Sequence, residues 1–103
     1  MKPIRIRPLA ETDIDHAVAY IWRDNPVAAT QLLDALEEGF SALSHQPAMG
    51  SPRYAHLIPG NMLRMWKVDK FPYLVFYLEH EDHLDVVRVL HEVRDIPALL
   101  GED

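Results

Sequence analysis

At 103 residues, with 49% hydrophobic and 25% charged side chains, the chain has room for one core and differs in composition from disordered sequences. It contains no cysteine, which excludes disulfides and thiolate zinc sites. Its formal net charge of −6 repels phosphate at long range and gives no support to general DNA or RNA binding.

The opening Met1-Lys2-Pro3-Ile4-Arg5-Ile6-Arg7-Pro8 alternates charge with apolar residues. It lacks the unbroken apolar segment of a signal peptide or membrane span, so a cytoplasmic protein without membrane association is expected. Ile4 and Ile6 point to one side of a short strand and Arg5 and Arg7 to the other, and Pro8 stops it. Ile14, Val18, Ile21 and Trp22 then form one stripe of a helix, with Thr12 or Asp13 as the expected cap. Trp22, on that stripe, reads as a packing residue.

Asp24-Asn25-Pro26 breaks this helix and begins the next, with Asn25 as N-cap and Pro26 in the first helical position. Ala29, Leu32, Leu33, Leu36, Phe40 and Leu43 keep helical spacing to about Ser44. Gly39 weakens this helix by about 1 kcal/mol relative to alanine and permits close packing. The short connection makes the helices an antiparallel hairpin whose apolar stripes require the sheet as partner.

The run from His45 to Pro52 has loop punctuation, and Pro59-Gly60-Asn61 marks a second turn. Tyr54 to Ile58 is ambiguous. Met62 to Val68 reads as a strand with Arg64 and Trp66 on one face and Leu63, Met65 and Lys67 on the other. Trp66 beside Arg64 has the composition of a binding hot spot, or else packs under the helices. Arg53, Arg64, Lys67 and Lys70 against Asp69 make this stretch locally positive. Phe71 to Glu79 and Leu84 to His91 form a hairpin joined by His80-Glu81-Asp82-His83, and Pro97 ends the pairing or marks an edge. The two turn histidines read as part of a solvated acidic turn rather than a metal site. His16, His45 and His56 carry no spacing signal. The order β-α-α-β-β-β predicts one α+β domain over residues 1–103, a helical hairpin on a small antiparallel sheet.

The element order, Arg23-Asp24-Asn25-Pro26, Tyr73-Leu74-Val75-Phe76-Tyr77 and Val87-Arg88-Val89-Leu90-His91-Glu92-Val93-Arg94-Asp95-Ile96 together resemble the ParE branch of the RelE/ParE toxin superfamily. The resemblance implies one of two activities. RelE-type members cut messenger RNA on the ribosome, and ParE-type members bind and block DNA gyrase. RNA cleavage requires proton-transfer groups and cations around the phosphate. Lys67 matches one strand lysine of RelE-like toxins and Arg94 a late arginine. Met65 and Leu74 stand where basic residues belong, and no tyrosine follows Tyr77. His91 with Tyr73 or Tyr77 is an alternative acid–base set.

The resemblance therefore implies a non-enzymatic, gyrase-binding toxin without cofactor or metal, forming a hetero-oligomer with a ParD-like antitoxin. Arg64, Trp66, Lys67, Arg88, His91 and Arg94 are the candidate target-binding residues. Ile4, Ile6, Ile14, Val18 and Ile21 are the candidate antitoxin-binding residues. A non-toxic homologue that keeps only antitoxin binding, motivated by the acidity, and a ribosome-dependent nuclease built on Lys67, His91 and Arg94 are the alternatives.

Overall fold

The computed structural model of the protein describes residues 1–58, 60 and 62–101. Strand β1 (Ile4–Ile6) is followed by helices α1 (Pro8–Trp22) and α2 (Pro26–His45), strands β2 (Leu63–Lys67), β3 (Tyr73–Glu79) and β4 (Leu84–His91), and a short helix α3 (Ile96–Leu100). The turn expected at Pro59-Gly60-Asn61 lies outside the described residues except for Gly60, whose φ of 83° is left-handed.

The sheet order is β1-β4-β3-β2. β2–β3 and β3–β4 are antiparallel, as expected for hairpins, but β1 runs parallel to β4 with Ile4 opposite Leu84 and Ile6 opposite Val86. The sheet is therefore mixed, because the helical hairpin returns the chain to the far side of the sheet before β2 begins. The β3–β4 register shifts between Phe76 and Tyr77, opposite Arg88 and Val86 respectively, so Val87 is an extra residue in β4.

Helix α1 begins four residues before the expected cap. Pro8 both stops β1 and starts the helix, since its fixed φ suits the first helical turn and its missing N–H has no bond to lose there. Thr12 instead bonds back to the Pro8 carbonyl, and Asp13 faces the sheet. Helix α2 matches its expected start: Asn25 Oδ1 accepts from the Ala28 N–H at 3.1 Å with Pro26 next in sequence. Two stripe assignments change. Leu33 is 45% exposed and Trp22 is 56% exposed, each on the flank of its helix rather than beneath it. The buried line of α1 runs through Ala10 and Ala17.

The helices cover one sheet face, where Leu32, Leu36, Leu43, Val75, Tyr77, Val86 and Val89 form a core. The opposite face is also buried. Leu63, Leu74, Phe76, Leu78, Val87 and Leu90 lie beneath Tyr54, Leu57, Ile58 and the α3 residues Ile96 and Leu100. β4 ends at His91, before Pro97, which neither ends the pairing nor marks an edge but lies in the first turn of α3, where its missing N–H has no bond to lose and Asp95 caps the helix by accepting from Ala98 N at 3.4 Å. The Tyr77 hydroxyl donates to the Pro47 carbonyl at 2.6 Å and accepts from Gly50 N at 2.9 Å, pinning the loop that crosses the β2 edge. A Cβ on Gly50 would lie 2.4 Å from that hydroxyl.

Gly39 is the second glycine set by contact: a Cβ there would meet the Trp66 ring at 2.3 Å. Gly39→Ala gains about 1 kcal/mol in helix propensity, but driving a methyl into a ring wedged between α2 and β2 costs about 1–3 kcal/mol. We expect a net loss of stability in urea unfolding, turned into a gain when Trp66→Leu is also present. A second expectation concerns the β1–β4 seam, where Arg7 holds Asp85 through Nη2 at 2.8 Å and Nε at 3.0 Å. Burial pushes the Asp85 carboxyl up, but the Arg7 guanidinium, with His80 behind it, outweighs that and leaves it below its ordinary value. A depressed carboxyl stabilises the fold above the unfolded-state value of about 3.9 and loses that contribution as pH falls through its folded value. Asp85→Asn should thus lower the urea midpoint at pH 6 and converge on the parent as pH drops below about 4; a pH-independent difference would contradict this.

Candidate functional site

β1 ends at Ile6, where Arg7 N donates to the Val86 carbonyl, while β4 continues to His91. Beyond that point the outer edge of β4 meets α1 instead of a strand. Asp13 Oδ2 accepts from Val89 N at 3.1 Å and from Arg88 Nε at 2.7 Å, and Oδ1 accepts from Arg88 Nη2 at 2.9 Å. Arg88 Nη1 donates to the Leu99 carbonyl at 2.8 Å, which ties α3 to the same point. Arg88 is 4% exposed. A polar residue in a strand reads as outward-facing, yet this one is an internal clasp, and it leaves the target-binding candidates.

Arg64 and Trp66 are half-buried and already hold contacts within the fold. Arg64 Nη1 donates to the carbonyls of Gly50 at 2.7 Å and Ala48 at 3.2 Å, and Trp66 lies against Gly39 under α2. The locally positive stretch is correspondingly divided: Arg64 is spent on the loop, Arg53 and Lys67 line one groove, and Lys70 lines another beside Asp34, Glu38 and Asp69.

The surface candidates Lys67, His91 and Arg94 lie at one end of the sheet but border two grooves. A groove of about 350 Å³ on the α3 side contains Arg53, Met65, Lys67, Leu74, Glu92 and Val93. Met65, Lys67 and Leu74 do come together, as their matching to nuclease positions implied, and two of the three are apolar. Lys67 Nζ donates to the Phe71 carbonyl at 3.1 Å. His91 and Arg94 border a different groove, of about 300 Å³, between α1 and the β4 edge, together with Asp13, His16, Tyr20 and Tyr73. The nuclease set Lys67, His91 and Arg94 is thus divided between the two. Tyr77 is also unavailable as an acid or base, its hydroxyl being enclosed by Pro47 and Gly50; burial pushes it up more than Gly50 N–H and Arg64 lower it.

In the α1 groove, His91 Nδ1 accepts from Val93 N at 3.2 Å, so the ring proton sits on Nε2, and its ring meets Tyr73 edge-on at 5.2 Å. Burial, and then the nearby Tyr20 phenol, push the Tyr73 hydroxyl above its ordinary value and keep it protonated. Tyr73 beside His91 is the alternative acid–base pairing expected from the sequence, whereas His16 and Tyr20 carry no such expectation. The signal was available: Asp13, His16, Ala17 and Tyr20 follow i, i+3, i+4, i+7, a second stripe beside the apolar one.

Ile4, Ile6, Ile14, Val18 and Ile21 are all half-buried against the helix-side core. Pro3 and Arg7 turn their backbone groups toward β4, so Ile4 and Ile6 present theirs to the outer edge of the sheet. Nearby exposed apolar surface comes from Tyr20, Trp22 and Val27, at 67%, 56% and 67% exposure. At the β3–β4 turn, His83 Nδ1 lies 2.7 Å from Asp82 Oδ1, and the His80 and His83 rings stack at 4.5 Å. Among the described residues no three histidine, aspartate or glutamate side chains are placed to hold a metal, and no helix is long and apolar enough to cross a membrane.

No curated protein matches the chain. A solved structure titled "Chromosomal ParDE TA system from P. aeruginosa" shares the fold, with a TM-score of 0.72 at 16% identity over 88% of this chain and 96% of that one. Residues 4–96 match the family described as ParE toxin of type II toxin-antitoxin system, parDE, a span that contains the strand seam, the helical hairpin and both grooves. The chain therefore belongs to the ParE toxin family.

Proposed function

We propose that this protein is the toxin of a two-protein system, that it acts by docking on DNA gyrase without cutting RNA, and that a ParD-like antitoxin neutralises it. The observation that carries the non-catalytic part of this reading is the make-up of the α3-side groove. Where a ribonuclease requires cations around the scissile phosphate, Met65 and Leu74 flank Lys67, and the one further cation in the groove, Arg53, is offset by Glu92. A phosphate between these groups would be held by too few donors, and the remaining candidates His91 and Arg94 border the other groove.

Docking makes different demands. Lys67 and Arg94 at one sheet end, together with the His91 imidazole, offer two cations and a hydrogen-bonding ring on an otherwise acidic molecule, suited to an acidic protein surface and to orienting the encounter. For the antitoxin, the free edge of β1 and the half-buried stripe Ile14, Val18 and Ile21 offer backbone and apolar surface side by side, which suits an extended or helical segment. Trp22 and Val27 at the tip of the hairpin extend that surface.

Purified protein should inhibit gyrase supercoiling, and Lys67→Ala combined with Arg94→Ala should weaken inhibition at least about tenfold, the loss expected for two charge-assisted contacts. Ribosome-bound message incubated with the protein should remain intact in primer extension. Unimpaired supercoiling, or cuts within A-site codons, would overturn the proposal.

A further inference from the structure

The groove between α1 and the β4 edge has more hydrogen-bond donors than acceptors. Tyr73 is 8% exposed, and among the described residues its hydroxyl has no hydrogen-bond partner, although it borders a cavity of about 300 Å³. The hydroxyl is reached by solvent from that cavity, because no buried side-chain oxygen or nitrogen among the described residues lacks a partner, and it is therefore a donor open to a ligand atom. His91 carries its proton on Nε2, because Nδ1 is taken by Val93 N. The Arg94 guanidinium forms no ion pair with any described residue. His16 and Tyr20 complete the rim. The one carboxylate in the wall, Asp13, has both oxygens committed to Arg88 and Val89 N.

The unspent groups are thus donors around one permanent positive charge. A singly charged, planar acceptor fits this arrangement better than a dianion: the Arg94 fork matches a carboxylate in shape, and the Tyr73 hydroxyl is a neutral donor. The Tyr20 and Tyr73 rings supply apolar walls for a short aliphatic stem. The volume is at the lower end of ligand pockets, about 300–1,000 Å³, enough for a side chain rather than a cofactor. α1, which forms one wall, is also the helix whose apolar stripe faces the proposed antitoxin.

We propose that this groove is a carboxylate-binding site, occupied by a glutamate or aspartate side chain of the antitoxin segment that covers α1. The occupant assignment rests on the antitoxin reading above; the chemistry of the site does not. An antitoxin carboxylate seated on Arg94 would neutralise one of the cations proposed to dock on the target, so covering α1 and silencing the toxin become one event.

The site chemistry is tested without any partner. N-acetyl-glutamate N-methylamide is titrated into the full chain while NMR follows the Arg94 Nε–H, the His16 and His91 Cε1–H and the Tyr73 ring. The shifts should saturate, be absent with the neutral N-acetyl-glutamine N-methylamide, and require at least about tenfold more ligand in Arg94→Gln. Tyr73→Phe, which removes a hydroxyl with no partner and should leave the fold intact, should also weaken binding. Equal shifts with the glutamine probe, no effect of Arg94→Gln, or saturation by inorganic phosphate but not by the glutamate probe would overturn the site. The occupant is tested by co-purifying the protein with the product of the neighbouring small reading frame. Loss of affinity in both variants supports it, and affinities equal to the parent overturn it. A failure to form any complex, even with the parent chain, would instead count against the antitoxin reading itself.

Discussion

The pairing of Asp13 with Arg88 is the constraint on which the rest of this structure depends. β1 supplies only three residues of parallel pairing, so β4 beyond Val86 would have a bare edge. Asp13 takes the Val89 N–H that a longer β1 would have taken, and Arg88 fills the carboxylate while reaching the Leu99 carbonyl. One buried pair therefore closes the sheet edge, sets the position of α1 across β4 and anchors α3 on the far face. Buried ion pairs return their desolvation cost only when further hydrogen bonds satisfy them, which the Val89 and Leu99 contacts do here. The same pairing removes the carboxylate charge from the α1 groove and so determines which ligands that groove accepts.

Much of the fold was legible because local signals agreed with the final packing. Asn25-Pro26 is both a cap and a first helical turn, the β3 and β4 runs are long and apolar, and the close packing allowed by Gly39 became a contact with Trp66. The errors fall where one residue serves two purposes. Pro8 ends a strand and begins a helix, so α1 was placed too late. Asp13 at the expected helix start reads as a cap, and Arg88 in an apolar strand reads as a target-binding cation; only their proximity, 75 residues apart in sequence, reveals the pair. The extra residue at Val87 and the parallel direction of β1 depend on long-range register, which period-two alternation does not encode. The short α3 has no sequence signature, because five residues containing a proline carry little helical periodicity.

Of the candidate site, the sequence showed the composition and missed the partition. Of the six target-binding candidates Arg88 is buried in the clasp, Arg64 and Trp66 are half-buried against a loop and a helix, and Lys67, His91 and Arg94 line the grooves. Those last three are divided between the two grooves, Lys67 in one and His91 and Arg94 in the other. That division separates Lys67 from the other two, while His91 keeps Tyr73 beside it in the α1 groove.

The most direct measurement of the clasp is a double-mutant cycle in urea with Asp13→Leu, Arg88→Met and the pair together. Each single change leaves a buried charge alone and should cost about 3–5 kcal/mol, whereas removing both should cost no more than the worse single variant. Single losses that add in the double variant, or singles below about 1 kcal/mol, would show that α1, β4 and α3 are held together by something other than this pair.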